Sequence, residues 1–190
     1  MSGRPTSVRV EGKKVALREK RISDASNDYS WNTDEELSRL DAAKPLKLTF
    51  QQALLFYEEE LTFPPPRRRR FAIETLDGMH IGNSMYYDIN EAKGEAELGI
   101  MIGDRRFWGK EYGTEAVGLL LDHIFTNTAL RRVHLHTLDW NTRAQKSFEK
   151  AGFVSIGKVR RNGHNFIAME THKDDWEQDR LEKAPAADAL

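Results

Sequence analysis

The residues best placed to do chemistry stand between positions 108 and 114, which read WGKEYGT. Gly109 and Gly113 fall in a short connection after an apolar run at 98–102, whose length and β-branched content read as a buried strand. After the connection, Ala116, Val117, Leu120, Leu121, Ile124 and Phe125 recur at helical spacing. A strand, a glycine-bearing turn and a helix opening together favour an anion. The first N–H groups of a helix lack internal partners, and the macrodipole adds about half a positive charge there. Glycine lets a phosphate approach the backbone closely. The same seven residues also read as a tight turn that needs glycine for geometry alone, so the loop by itself leaves both readings open.

Other reactive residues are few. There are no cysteines, which excludes disulfides, thiolate metal sites and cysteine nucleophiles. Among the histidines at 80, 123, 134, 136, 164 and 172, only His134 and His136 have a ligand-like spacing, sharing one face of a strand. No third ligand is evident beside them, and the expectation is that no metal is bound. The run PPPRRRR at 64–70 could meet phosphate or an acidic partner. It reads instead as a stiff, solvated approach to the next strand.

Stepping outward to the chain, 190 residues suit one domain with a real core. We expect that domain over 1–178, followed by a polar tail at 179–190. Charged residues make up 31% and the net charge is −1, so no global field draws the protein to nucleic acid or membrane. No apolar run approaches the roughly 18 to 20 residues that cross a bilayer. The opening segment lacks the apolar core of a secretory signal, and a cytoplasmic location is the expectation. Monomer and homodimer are both open.

The elements follow from pattern and punctuation. Residues 1–7 read as loose, and 8–19 as two short strands around Glu11-Gly12. Ser23 and Asp24 are expected to cap a helix through Tyr29 and Trp31, with a second, acidic stretch at 32–40. Thr49 is expected to cap a helix over 50–61, making 23–61 a pair of helices. Strands are expected at 71–75 and 79–88 around an Asp77-Gly78 turn, then the strand ending at 102, a helix at 112–127 and a strand at 131–138. A short helix at 141–151 stops at Gly152. Strands at 153–159 and 166–170 flank Asn162-Gly163, and a polar helix at 173–182 leads into a frayed tail. That order describes a mixed α/β sheet with helices on both faces.

Two segments carry a family resemblance. WGKEYGTEA resembles the acyl-CoA-binding segment of the Gcn5-related N-acetyltransferase (GNAT) superfamily, Gln/Arg-x-x-Gly-x-Gly/Ala, and most closely its RimJ/RimL-like branch, which includes ribosomal-protein alanine acetyltransferases. Trp108 takes the Gln/Arg position and Gly113 the last one, while Glu111 stands where the pattern has glycine. DWNTRAQKSFEKAGF at 139–153 resembles the family's second segment through Asn141, Ala144, Glu149, Lys150, Gly152 and Phe153.

The resemblance implies a GNAT fold, a mixed, mostly antiparallel twisted sheet of about seven strands. It implies transfer of an acetyl group from acetyl-CoA to a primary amine by direct attack, with no metal. The amine would be a protein N-terminus or a small amine such as a polyamine or aminoglycoside. Carried over by position, Ile100, Met101 and Ile102 would pair with the pantetheine, and Trp108, Gly109, Lys110, Glu111, Tyr112, Gly113 and Thr114 would hold the pyrophosphate. Asn141 would serve the pantetheine or acetyl carbonyl, and Phe148 would line the cofactor site where many members place a tyrosine. Glu97 would be the general base, with Glu95 and Glu74 behind it. Ser147 would be the donor to the leaving thiolate, since Phe148 and Ala144 carry no proton to give. Glu35, Glu36 and Asp41 would attract a cationic amine. Those same departures keep open a second class, a non-catalytic acyl-CoA-binding module on the same fold.

Overall fold

A computed structural model describes residues 8–183. The segment expected to be loose at 1–7 and the tail beyond Lys183 lie outside the described residues. Eight strands form one sheet, one more than the fold expectation. They are β1 (Arg9–Glu11), β2 (Val15–Glu19), β3 (Arg68–Thr75), β4 (His80–Asn90), β5 (Glu95–Ile102), β6 (Arg132–Leu138), β7 (Val154–Arg161) and β8 (His164–His172). Their spatial order is β1-β2-β3-β4-β5-β6-β8-β7. Every neighbouring pair is antiparallel except β5 and β6, which are parallel. The chain makes that parallel step through α4 (Tyr112–Asn127), as a parallel connection requires.

Strand periodicity divides the sheet into an oily face and a charged one. Val15 and Leu17 of β2, Ile73 of β3, Leu98 of β5, Val133 and Leu135 of β6 and Met169 of β8 are buried together. On them lies the apolar stripe of α4, with Ala116, Val117, Leu120, Leu121, Ile124 and Phe125 all buried, as its spacing required. Phe148 of α5 (Thr142–Lys150) joins this core, and Trp176 of α6 (Lys173–Lys183) packs on Phe125.

The alternate residues face α1 (Ala25–Thr33), α2 (Glu35–Leu40) and α3 (Phe50–Thr62). Arg18 of β2 forks onto Asp24 through two bonds of 2.8 Å and also pairs with Glu74 of β3. Lys20 reaches Asp28 at 3.0 Å and bonds Asn83 of β4. This buried ion network, not a cap, is what Asp24 serves. Its side chain makes no N-cap bond to α1, which corrects the capping expectation. The region 23–61 holds three helices and a 3-10 turn (Ile22–Asp24), because Asp34 caps α2 separately by accepting from the Leu37 N–H at 2.9 Å. Thr49 caps α3 as expected, in a reciprocal box with Gln52. The apolar residues of α3 do not form a buried stripe: Leu55 and Phe56 are 67% and 62% exposed. The arginine run is less solvated than expected. Arg68 and Arg70 begin β3 and both pair with Glu60 of α3, each at 2.9 Å.

Candidate active site

The site begins where the parallel pair comes apart. β5 and β6 are in register only through Glu95↔Arg132, Ala96↔Val133 and Glu97↔His134. Beyond Glu97, β5 runs on to Ile102 beside β4 while β6 runs on to Leu138 beside β8. The facing backbones of 98–102 and 135–138 therefore have no ladder between them. A cavity of about 330 Å³ opens along this split. Ile100, Met101 and Ile102 form one wall. Trp108, Gly109, Glu111, Gly113 and Thr114 form its end, and Asn141, Ala144, Ser147 and Phe148 the opposite wall. Leu37, Leu40 and Asp41 from α2 overhang it. Lys110 and Tyr112 are not in the lining: Tyr112 packs edge-on to Phe107 at 4.9 Å, and the Lys110 carbonyl accepts from Lys14.

The loop is held in the shape its glycines allow. Gly109 has φ +69°, in the left-handed region, and so does Glu111 at +68°, a conformation that costs a side-chain-bearing residue about 1–2 kcal/mol. The Glu111 carboxylate turns onto Lys150 Nζ at 2.7 Å, with Lys14 at 4.0 Å. Lys150 holds its carboxyl below the usual range. Trp108 is pinned by its indole N–H, which donates to the Ile102 carbonyl at 2.6 Å, and by Arg143 lying 3.9 Å over its ring.

Each polar candidate on the far wall has one partner. Asn141 caps α5 by accepting from the Ala144 N–H at 3.2 Å, so its side-chain NH2 is left for the cavity. Ser147 and Thr114 share a hydroxyl–hydroxyl bond of 2.7 Å that ties α5 to the start of α4. Phe148 packs on Phe153 at 5.9 Å. Arg143, Lys146 and Lys150 also line the cavity; the motif comparison passed over the first two and gave Lys150 no part in the site. Their signal was present in TRAQKSFEK, where a spacing of three and then four puts three cations on one helical face.

Glu97 stands at the apex of the split, outside the cavity lining itself. It is 12% exposed and its Oε1 lies 2.8 Å from His136 Nδ1, with Arg161 Nη1 3.3 Å from the same nitrogen. Tyr87 is the register partner of Glu97 on β4, and burial, with that carboxylate beside it, pushes the phenol well up. The absence of a third ligand beside the histidine pair is corrected here. Glu97 faces His134 across the parallel rung, and its carboxylate and both imidazoles offer donor atoms within 4.8 Å of one another. Glu95 and Glu74 are elsewhere. Glu95 pairs with Arg132 at 2.7 Å, and Glu74 is buried between Arg18 and Arg9, whose bonds outweigh desolvation and hold its carboxyl down. A carboxylate so neutralised is a poor base. Of the acidic set on α2, Glu36 is taken by Arg105 at 2.9 Å and Glu35 lines a separate cleft. Asp41 alone faces the cavity. It lies at the mouth in contact with solvent, and desolvation by the surrounding walls pushes its carboxyl up to about 6.

An open parallel seam, a glycine-bearing helix start beside it and a cation-studded helix opposite are the features that set this fold apart. Residues 14–154 match the acetyltransferase (GNAT) domain family, and the chain belongs to that family. Among curated proteins, it is 26% identical over 148 residues to the uncharacterized N-acetyltransferase p20 of Bacillus licheniformis, covering 77% of this chain and 83% of that one. A 66-residue stretch, 35% of this chain, is 38% identical to the uncharacterized protein MJ1062 of Methanocaldococcus jannaschii, but spans only 13% of that protein. The fold superposes on spermidine N-acetyltransferase from Vibrio cholerae in complex with CoA and spermine, with TM-score 0.78 and 21% identity over 87% of this chain and 99% of the other. It also superposes on aminoglycoside acetyltransferase AAC(6')-Ib in complex with coenzyme A, with TM-score 0.73 and 21% identity over 87% and 99%.

Proposed function

We propose that this protein, a cytoplasmic acetyltransferase of the RimJ/RimL-like branch with its catalytic domain over 1–178, moves an acetyl group from acetyl-CoA to a primary amine. The observation that carries this reading is the open β5–β6 seam with its adjoining cavity. Unladdered backbone at 98–102 can accept an amide-bearing chain as it would an added strand. The residues fit the co-substrate: the N–H groups from Gly109 to Thr114 and the cations Arg143, Lys146 and Lys150 suit phosphates, the Trp108 backbone N–H being already bonded to the Arg105 carbonyl, and Ile100, Met101, Ile102 and Phe148 suit an apolar arm. Acetyl-CoA supplies an activated thioester carbonyl and a tolerable leaving thiolate. The branch assignment rests on WGKEYGTEA.

The chain's own residues then divide the work. Asp41 at the cavity mouth draws in a cationic amine, which favours a small polyamine or aminoglycoside over a peptide N-terminus. Glu97 takes the ammonium proton, through water because it lies off the lining, and His136 orients its carboxylate. The free NH2 of Asn141 donates toward the acetyl oxygen, and Ser147, steadied by Thr114, donates toward the departing sulfur. Attack is direct, with both substrates bound together.

Calorimetric titration with acetyl-CoA, followed by thiol release against polyamines, aminoglycosides and N-terminal peptides, tests this. Amine-dependent release is expected, and Glu97→Gln should lower kcat by about 10²- to 10⁴-fold while leaving acetyl-CoA affinity unchanged. Binding without release from any acceptor would establish the non-catalytic module instead. Absence of binding would leave only the fold.

A further inference from the structure

Two imidazoles and a carboxylate meet at the closed end of the seam, and of the three His134 has no part in the acetyl transfer proposed above. His134 and His136 stand two apart on β6 and project from the same face. Glu97 is the register partner of His134 on β5, so the parallel pairing itself brings the carboxylate to the histidines. Their donor atoms all lie within 4.8 Å, and Glu97 Oε1 and His136 Nδ1 are already at 2.8 Å. A tetrahedral zinc ion with bonds of about 2.0–2.2 Å sets its donors roughly 3.3 Å apart. Side-chain rotation closes the remaining gap without moving either strand. Glu97 and His136 are 12% and 11% exposed, dry enough to favour coordination over hydration.

We propose that Glu97, His134 and His136 bind a zinc-like divalent cation, which occupies the carboxylate and so holds the enzyme off. Two nitrogens and one oxygen suit zinc, whose three-ligand sites leave a fourth position for water. That position faces the cavity side, where the strands separate. The ion takes the place of the direct contact between His136 Nδ1 and Glu97. Other groups surround the three: Tyr87, Arg161, and Arg132 with its partners Glu95 and Glu170. Tyr87 stands beside Glu97 as its register partner on β4 and adds no charge to the site. Arg161, 3.3 Å from His136, opposes a cation, but it is exposed at the β7–β8 turn and turns into water at little cost. Arg132 is committed to Glu95 and Glu170.

The binding claim stands on geometry alone, whereas the inhibition claim rests on Glu97 acting as the base. The experiment separates them. Untagged protein stripped with chelator is titrated with cobalt(II), and the visible ligand-field absorption of a low-symmetry site is followed before and after zinc displaces it. A saturable, zinc-displaceable spectrum is expected, with affinity falling at least about tenfold in His134→Ala and in Glu97→Gln. Thermal midpoints in chelator identify any variant that fails to fold, in which case His134→Asn replaces His134→Ala. Zinc should raise the parent's midpoint and not the variants'. In the acetylation assay, zinc should lower kcat of the parent, as Glu97→Gln does, and leave KM for acetyl-CoA alone, relative to the same protein in chelator. No cobalt spectrum, or a spectrum that survives both substitutions, overturns the site. A spectrum with no zinc effect on turnover overturns inhibition and leaves the site standing.

Discussion

At the scale of the residue, Glu111 stands apart from its family's pattern for a physical reason. The position has φ +68°, which glycine adopts freely and glutamate does not. Against that cost Glu111 sets only a solvent-exposed, salt-screened pair with Lys150. Glu111→Gly therefore removes strain of about 1 kcal/mol or slightly more and a negative charge from the phosphate end, and frees Lys150 to face the cavity. A higher thermal midpoint and tighter CoA binding are expected, with the gain in affinity shrinking as salt is added. A variant that binds CoA less well would show that Glu111 helps hold the loop. The motif residues around it were readable from WGKEYGTEA because short-range backbone demands leave a mark in sequence. Glu97 as neighbour to His134 and His136 was not readable, because a parallel register joins residues 37 apart whose pairing no local pattern announces.

At the scale of the element, α1 is seated by the Asp28 ion network and by one close steric contact. Gly103, just past β5, lies under the Trp31 ring, and a Cβ there would meet its atoms at 2.1–2.5 Å. The indole is large and flanked by His80 at 4.8 Å, so it cannot step aside as a flexible chain would. Gly103→Ala is expected to destabilise by about 1–3 kcal/mol and to loosen α1 and α2 over the cavity. Urea unfolding gives the first quantity, and a raised KM for the amine with unchanged CoA affinity gives the second. Apolar period located every strand and helix of the core. In α3 it misled: Ala53, Leu54, Phe56, Tyr57 and Leu61 recur at roughly helical intervals, yet Phe56 and Leu61 remain 62% and 38% exposed. Spacing shows that a helix has an apolar face, but not that anything covers it. Asp24 misled for the opposite reason: a good cap residue by type, it is claimed by Arg18 six positions back.

At the scale of the whole molecule, the charged face of the sheet sets how the fold meets acid. Burial alone would raise the Asp24 carboxyl, but Arg18, the Arg21 N–H and Lys20 outweigh it and hold it at about 2, against an ordinary 3.8. A carboxyl depressed in the folded state stabilises above its unfolded value, and that stabilisation is lost as pH falls through the folded one. About 2 kcal/mol is therefore expected to disappear between pH 5 and pH 2. Urea midpoints measured across that window should fall, and Asp24→Asn should be less stable at pH 7 yet flatter with pH. An equal slope in the variant would assign the acid response to other carboxylates.

The three-rung join between β5 and β6 has a mechanical side. It divides the sheet into two antiparallel leaves, β1–β5 and β6–β8, each fully laddered within itself. Pulled apart or heated, the molecule is weakest along this line, and only α4, crossing from one leaf to the other, spans it covalently. A ligand that hydrogen-bonds into the gap supplies the missing rungs. The co-substrate would thus act as a removable strand, and the protein would yield as two pieces when empty and as one when loaded.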